Sequence, residues 1–114
     1  MADIQGRRQL ERNMQRINRN TETEIEQALT KSALIVERDA KINAPVDTGR
    51  LRASITHKVE ETYAEVGTNV EYAKSVEFGT SKQSAQPFLF PAYNNNKQKI
   101  LKELAKAFQK GAGL

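Results

Sequence analysis

Few side chains in this sequence are suited to chemistry. His57 is the single histidine and cysteine is absent, which excludes a thiolate nucleophile, a disulfide framework and a sulfur-ligated metal, and leaves zinc without its usual donors. Ser54, His57 and Asp47 can be written as a hydrolytic triad. On the strand that the pattern predicts here, however, Ser54 lies on the face opposite His57, because three residues along a strand reverse the side. Glu60, Glu61 and Glu65 could offer oxygens to a hard cation, yet at a hairpin tip they are more simply solvated carboxylates. Gly67 and Gly79 are too far apart for a dinucleotide fingerprint, and no Gly-Lys-Ser or Gly-Lys-Thr follows a glycine-rich loop. An enzymatic role, a cofactor and a metal site are therefore not expected.

The chain has 114 residues, 38% hydrophobic and 6% aromatic, with a net charge of +4. That is one modest domain with little core-forming material, a composition suited to a subunit that completes its burial against neighbours. Charge is distributed in blocks. Residues 1–20 set five arginines against Asp3 and Glu11, the two middle stretches (21–50 and 51–80) are each acidic, and from residue 81 onward six lysines face Glu103 alone. Arg8, Arg12, Arg16 and Arg19 recur at helical steps beside the apolar positions Leu10, Met14 and Ile17. Such a row can follow a phosphate backbone or pair with an acidic neighbour, and no DNA-binding motif accompanies it. The opening MADIQGRRQL lacks a signal-peptide core, and no apolar run is long enough to cross a membrane.

The elements that would position these residues follow from periodicity. Leu10, Met14, Ile17, Ile25, Leu29, Ala33, Val36 and Ala40 form one amphipathic stripe. Thr21 and Glu24 stand at capping-box spacing, so the stripe is either one long helix or two joined near Asn20, with a helix over 21–43 in both cases. Pro45 ends it. Asp47, Thr48 and Gly49 form a turn in which Gly49 admits positive φ, so Gly49→Val should break it. Residues 51–59 alternate as a strand, Glu60 and Glu61 make the tip, and residues 63–66 pair back as a hairpin. Residues 70–78 read as a short helical turn, 79–86 as a loop, and Pro91 opens a last helix at its first position, with Tyr93, Lys97, Ile100, Leu104 and Phe108 along one face and Gly111 as its stop. The expected class is α+β: a long N-terminal helix, a small antiparallel sheet, and a C-terminal helix packed on that sheet, both helices covering one sheet face. Residues 1–20 form an Arg-rich helical extension and 21–114 a single domain.

Three segments in order carry a resemblance. They are Ala44-Pro45-Val46-Asp47-Thr48-Gly49-Arg50-Leu51-Arg52-Ala53-Ser54-Ile55; then Val66-Gly67-Thr68-Asn69-Val70-Glu71-Tyr72-Ala73 with Val76-Glu77-Phe78-Gly79-Thr80; then Gln86-Pro87-Phe88-Leu89-Phe90-Pro91-Ala92. Together, over about residues 20–110, they resemble the tail-completion or head-to-tail connector proteins of long-tailed bacteriophages, often labelled minor tail components. The resemblance implies a non-enzymatic virion protein, made in the host cytoplasm. It would form a ring, a hexamer by the symmetry of such tails, where the head-closure ring meets the tail terminator or tube, with DNA passing nearby and no sequence-specific binding. A small basic DNA-binding protein and another neck ring, such as a tail terminator, are the alternatives; a hydrolase using Ser54 and His57 is remote.

The matched residues take structural roles in that frame: Pro45, Asp47, Thr48, Gly49, Leu51, Ser54, Gly67, Tyr72, Ala73, Gly79, Thr80 and Pro87 shape the turns and packing. Glu77 would accept backbone amides of the loop that follows it, and Phe88, Phe90 and Pro91 would anchor the last helix to the sheet. Contacts between copies or rings are expected at the loop containing Ser81, Lys82, Gln83 and Ser84, at the tip around Glu60 and Glu61, and along Arg8, Arg12, Arg16 and Arg19. The acidic middle would line or neighbour the DNA channel while the basic ends pair with other copies or rings.

Overall fold

A computed structural model of the chain describes residues 4–46 and 49–114; Asp47 and Thr48, two of the expected turn residues, lie outside them. The elements run α1 (Ile4–Asn43), α2 (Arg50–Ser54), β1 (Thr56–Val59), β2 (Ala64–Gly67), α3 (Ala73–Phe78) and α4 (Leu89–Gly111). The class is α+β, with the long first helix, two-stranded antiparallel sheet and final helix that the pattern predicts.

The open question at Asn20 resolves to one continuous helix. Thr21 does not cap a second segment: its Oγ1 donates to the Ile17 carbonyl one turn back at 2.7 Å, as Thr23 does to Arg19 at 3.0 Å, and the apolar phase runs through without a break. A helix of 40 residues is about 60 Å long. It dominates a molecule measuring 76 × 23 × 22 Å, whose radius of gyration of 20.2 Å far exceeds the roughly 13 Å of a compact chain this size.

The first strand is shorter than its alternation implies. Residues 50–54 form a helical turn, opened by Gly49 at φ 75 and closed by Ala53 N–H donating to the Gly49 carbonyl at 2.9 Å. Leu51 and Ile55, both buried, are four apart, a spacing that serves either period. Pairing decides between them, since β2 offers partners only from Thr56 onward: Thr56 faces Gly67, His57 Val66, Lys58 Glu65 and Val59 Ala64. Glu60 N–H donates to the Tyr63 carbonyl at 2.9 Å, closing the tip where Glu60 and Glu61 were expected.

The last helix is placed differently from the expectation. α4 packs along α1, and the sheet leans on α1 as well, so α1 is the shared support and α4 does not lie on the sheet. Opposed positions run antiparallel along the two helices: Asn43 Nδ2 donates to the Phe88 carbonyl at 3.4 Å, Asn96 Nδ2 to Asp39 Oδ2 at 2.7 Å, Lys31 meets Glu103 at 3.4 Å and Lys110 meets Glu24 at 3.7 Å. The seam is lined by small residues where the backbones approach most closely, Thr21 and Ala28 on α1 with Ala107 and Gly111 on α4, while Ala40 and Ala92 join the core cluster. At Gly111 the approach is extreme, because a Cβ there would lie 2.3 Å from Thr21 Cα. The core proper sits at the other end, where Phe88 and Ile55 are fully buried among Val36, Ala40, Leu51, Val70 and Ala92.

Candidate assembly surfaces

Glu77 organises the start of α4. It is a buried carboxylate on α3, and its Oε1 accepts the N–H groups of Phe88 at 3.1 Å and Leu89 at 2.9 Å, while Oε2 accepts that of Phe90 at 3.2 Å. These are the orphan donors that every helix start must satisfy, and a negative charge there is favoured by the helix dipole. The next residue, Pro91, has no N–H to satisfy, so it stands third in the helix rather than first as predicted. Glu77 therefore binds backbone amides as expected, at the helix entrance rather than within the loop.

The intervening loop is folded back tightly. Gly79 takes φ 75, and a Cβ there would meet Ala85 N at 2.7 Å. Thr80 and Gln83 pair across a bridge, Lys82 N–H donates to Thr80 Oγ1 at 3.2 Å, and Gln86 N–H reaches the Val76 carbonyl at 2.8 Å. Ser81, Lys82, Gln83, Ser84 and Pro87 are left on its exposed outer side. Tyr72 precedes α3 with its ring 5.6 Å beneath the Arg50 guanidinium, which also grips Glu71 at 3.1 and 3.2 Å, and Ala73 is buried below it.

Ser54 and His57 line one open cleft beside the hairpin but are bonded to different partners. Ser54 Oγ donates to the Leu51 carbonyl at 2.6 Å and meets Thr68 Oγ1 at 2.5 Å. His57 turns to α1, with Nδ1 2.5 Å from Glu37 Oε2, and Lys41 holds the other Glu37 oxygen at 3.2 Å. Burial opposes charge on Glu37, but the hydrogen bonds from His57 and Lys41 outweigh it and hold the carboxyl below its ordinary range. Asn96 donates to Asp39 and, with Arg38, lowers that carboxyl too. Among the described residues no group of His, Asp and Glu could hold a metal ion, and no helix is long and apolar enough to cross a membrane.

Two apolar surfaces are uncovered instead. The first is a groove of about 790 Å³ whose floor is α1 at Leu29, Ala33 and Val36, with Ala64 and Val66 of β2 on one side and Tyr93 and Ile100 of α4 on the other. Phe78 and Phe90 stand at its end, 73% and 64% exposed. Phe90 thus does not anchor α4; Phe88 does, fully buried in the cluster against which Val66 of β2 packs. Of the apolar face read from the sequence of the last helix, Tyr93 and Phe108 are exposed while Ile100 and Leu104 are half-buried, Ile100 against the core; Phe90 and Leu101, also exposed, fall within roughly 80° of Tyr93 and Phe108 at about 100° per residue. Burial against α1 uses the adjacent face, at Ala92, Asn96, Ala107 and Gly111, because only small side chains fit there.

The second surface is the overhang of α1. α4 ends beside Thr21, leaving residues 6–20 without cover. Leu10, Met14 and Ile17 are 59%, 55% and 38% exposed, in line with Thr21 and Ala28, which α4 does cover. Arg8, Arg12, Arg16 and Arg19 are exposed as well, but helical geometry puts them roughly opposite the apolar stripe, not beside it. Arg12 and Arg16 donate to Gln9 and Asn13 of their own helix, at 3.3 and 3.5 Å.

Sequence periodicity marked the stripe Leu10, Met14 and Ile17 but not that it lies beyond the reach of α4, which ends beside Thr21. Comparison with known proteins gives one match. The family model described as "Bacteriophage HK97-gp10, putative tail-component" matches residues 8–79. It therefore begins within the arginine row and ends at Gly79, whereas the resemblance noted from the motifs spans about residues 20–110. No curated protein and no solved structure matches the chain.

Proposed function

The chain belongs to the HK97-gp10-like family of bacteriophage tail components, and from that premise we propose that it is a structural ring subunit at the head-to-tail junction, joining the head-closure ring to the tail terminator or tube. It acts by assembly and not by catalysis. The observation that carries this reading is the pair of uncovered apolar surfaces, the α1 overhang and the groove between β2 and α4. Contiguous apolar area of this kind marks a protein interface, and a ring offers each subunit two different neighbours. A rod-like subunit, with the overhang at one end and the tight loop at Thr80–Gln83 at the other, can span from one ring to the next. Six-fold symmetry is the expected stoichiometry. The acidic middle of the chain neighbours the channel, where it would not retain passing DNA, while the basic ends contact other copies or rings.

Electron microscopy of lysates from phage lacking this chain tests the assignment. Separate full heads and finished tails are expected, and adding the purified protein should join them. Joined but DNA-leaking particles, or tails of aberrant length, would instead indicate head closure or tail termination. Steep salt-dependent DNA binding by the isolated chain would favour a DNA-binding role.

A further inference from the structure

We propose that the open edge of β2 accepts one extended strand from a neighbouring protein of a different kind, which lies between β2 and α4 as a third strand of the sheet. The proposal rests on the ring reading above and names what one of the neighbours presents.

The backbone chooses the occupant. Val59 faces Ala64, Lys58 Glu65, His57 Val66 and Thr56 Gly67, and the tip pair is hydrogen-bonded, Glu60 N–H to the Tyr63 carbonyl. Bonded and non-bonded pairs alternate along an antiparallel ladder. Glu65 and Gly67 therefore turn their N–H and C=O groups to β1, while those of Ala64 and Val66 point away from it. No other group among the described residues bonds them. The same two residues line the groove and no residue of β1 does, so the free edge opens into it. Below, Ser32 lies in the groove floor, 6% exposed, with its hydroxyl unpartnered. A helix satisfies its own backbone and a purely apolar ligand brings no donor or acceptor, so either would leave these groups unpaired. An extended strand supplies N–H and C=O groups at the spacing a sheet edge requires. Its inward side chains would rest on Leu29, Ala33 and Val36 and must be apolar, alternating with polar ones outward.

Space limits the donor. A groove of about 790 Å³ beside a four-residue strand roughly 13 Å long, in a layer about 10 Å deep, is about 6 Å wide, enough for one strand at a spacing of about 4.8 Å and not for two. The strands of a second copy come as a pair, β1 with β2, and among the described residues this chain has no unpaired strand to give. The donor is therefore an unlike protein with a single extended arm.

Hydrogen–deuterium exchange of the full-length chain, alone and in purified phage particles, tests this at single amides. Alone, the Ala64 and Val66 amides should exchange at nearly unprotected rates and those of Glu65 and Gly67 slowly. In particles the first pair should slow by more than about 100-fold. Ala64→Pro removes one edge donor and no ladder bond, so its circular dichroism should match the wild type while its incorporation at the neck falls about 10-fold; if that variant does not fold, the wild-type exchange rates still decide. Ala64 and Val66 amides that stay fast in particles containing the chain refute the strand and leave the ring reading intact. Protection of both in the dilute isolated chain overturns the proposal, as does protection that rises with its concentration, which would make a second copy the occupant. Particles without this chain at the neck refute both readings.

Discussion

The two halves of α1 share one helical period and meet opposite fates. Beyond residue 20 the same face carries small residues, Thr21 and Ala28, and is covered by α4 at Ala107 and Gly111. Over residues 6–20 it is built of Leu10, Met14 and Ile17 and is bare. Size follows the partner. A helix whose companion is tethered in the same chain can be held at close approach by alanine and glycine, with many short contacts. A helix whose companion must arrive from solution gains from larger side chains, because association has to overcome lost translational and rotational freedom with buried apolar area.

The contrast predicts that substitutions in the packed half cost stability and those in the overhang cost assembly. The largest effect is expected for Phe88→Ala, which empties the fully buried centre of the core and should lower unfolding free energy in urea by about 3–5 kcal/mol. An unchanged midpoint would mean that the packed half is not held there. Next is Glu77→Ala, which strips three N–H groups of their acceptor and should cost about 2–3 kcal/mol, with Glu77→Gln intermediate because one carbonyl oxygen remains. Gly111→Ala marks the boundary between the halves. Its Cβ has no room beside Thr21, so about 1–2 kcal/mol is expected, together with faster amide exchange in the last turn of α4.

Acid sharpens the picture at the sheet side of α1. The Glu37 carboxyl sits below its ordinary value of 4.5 in the fold, so it binds fewer protons folded than unfolded near that pH. Its stabilisation is complete above the ordinary value and fades as pH falls through the lowered one. Melting temperature should therefore drop on the acid side of pH 4.5, and Glu37→Gln should flatten that slope while leaving the neutral range with a smaller, constant loss. The smallest effect on stability is expected for Leu10→Asp, Met14→Asp and Ile17→Asp combined, under about 0.5 kcal/mol in the isolated chain. A large loss would show that the overhang is packed in the monomer after all.

Much of the fold was legible before any coordinates. The α1 stripe, the stop at Pro45, the hairpin tip at Glu60–Glu61, the helical turn within residues 70–78 and the amide-binding role of Glu77 are local matters of period, proline and turn chemistry. What misled was spacing that two structures share: Leu51 and Ile55 fit a strand and a helix equally, and only the short reach of β2 chose. For α4 the stripe of Tyr93, Ile100, Leu104 and Phe108 is only partly buried, Ile100 and Leu104 half-covered and Tyr93 and Phe108 exposed, since hydrophobicity alone does not reveal that the seam against α1 runs through Ala107 and Gly111.

Sequence by itself determined that there is a long amphipathic helix, a small hairpin and a second helix, that the charges run basic, acidic, basic, and that the chain has little core-forming material for its length. Period, ring constraint and charge are properties of neighbours along the chain, and they need no fold to be read. Tertiary structure decided that α4 lies on α1 instead of the sheet, that it stops at Thr21, and that the overhang and the groove are therefore the surfaces left open. Which stripe is covered depends on how closely two backbones can approach across the molecule, a distance set by Gly111 and the alanines of the seam acting together.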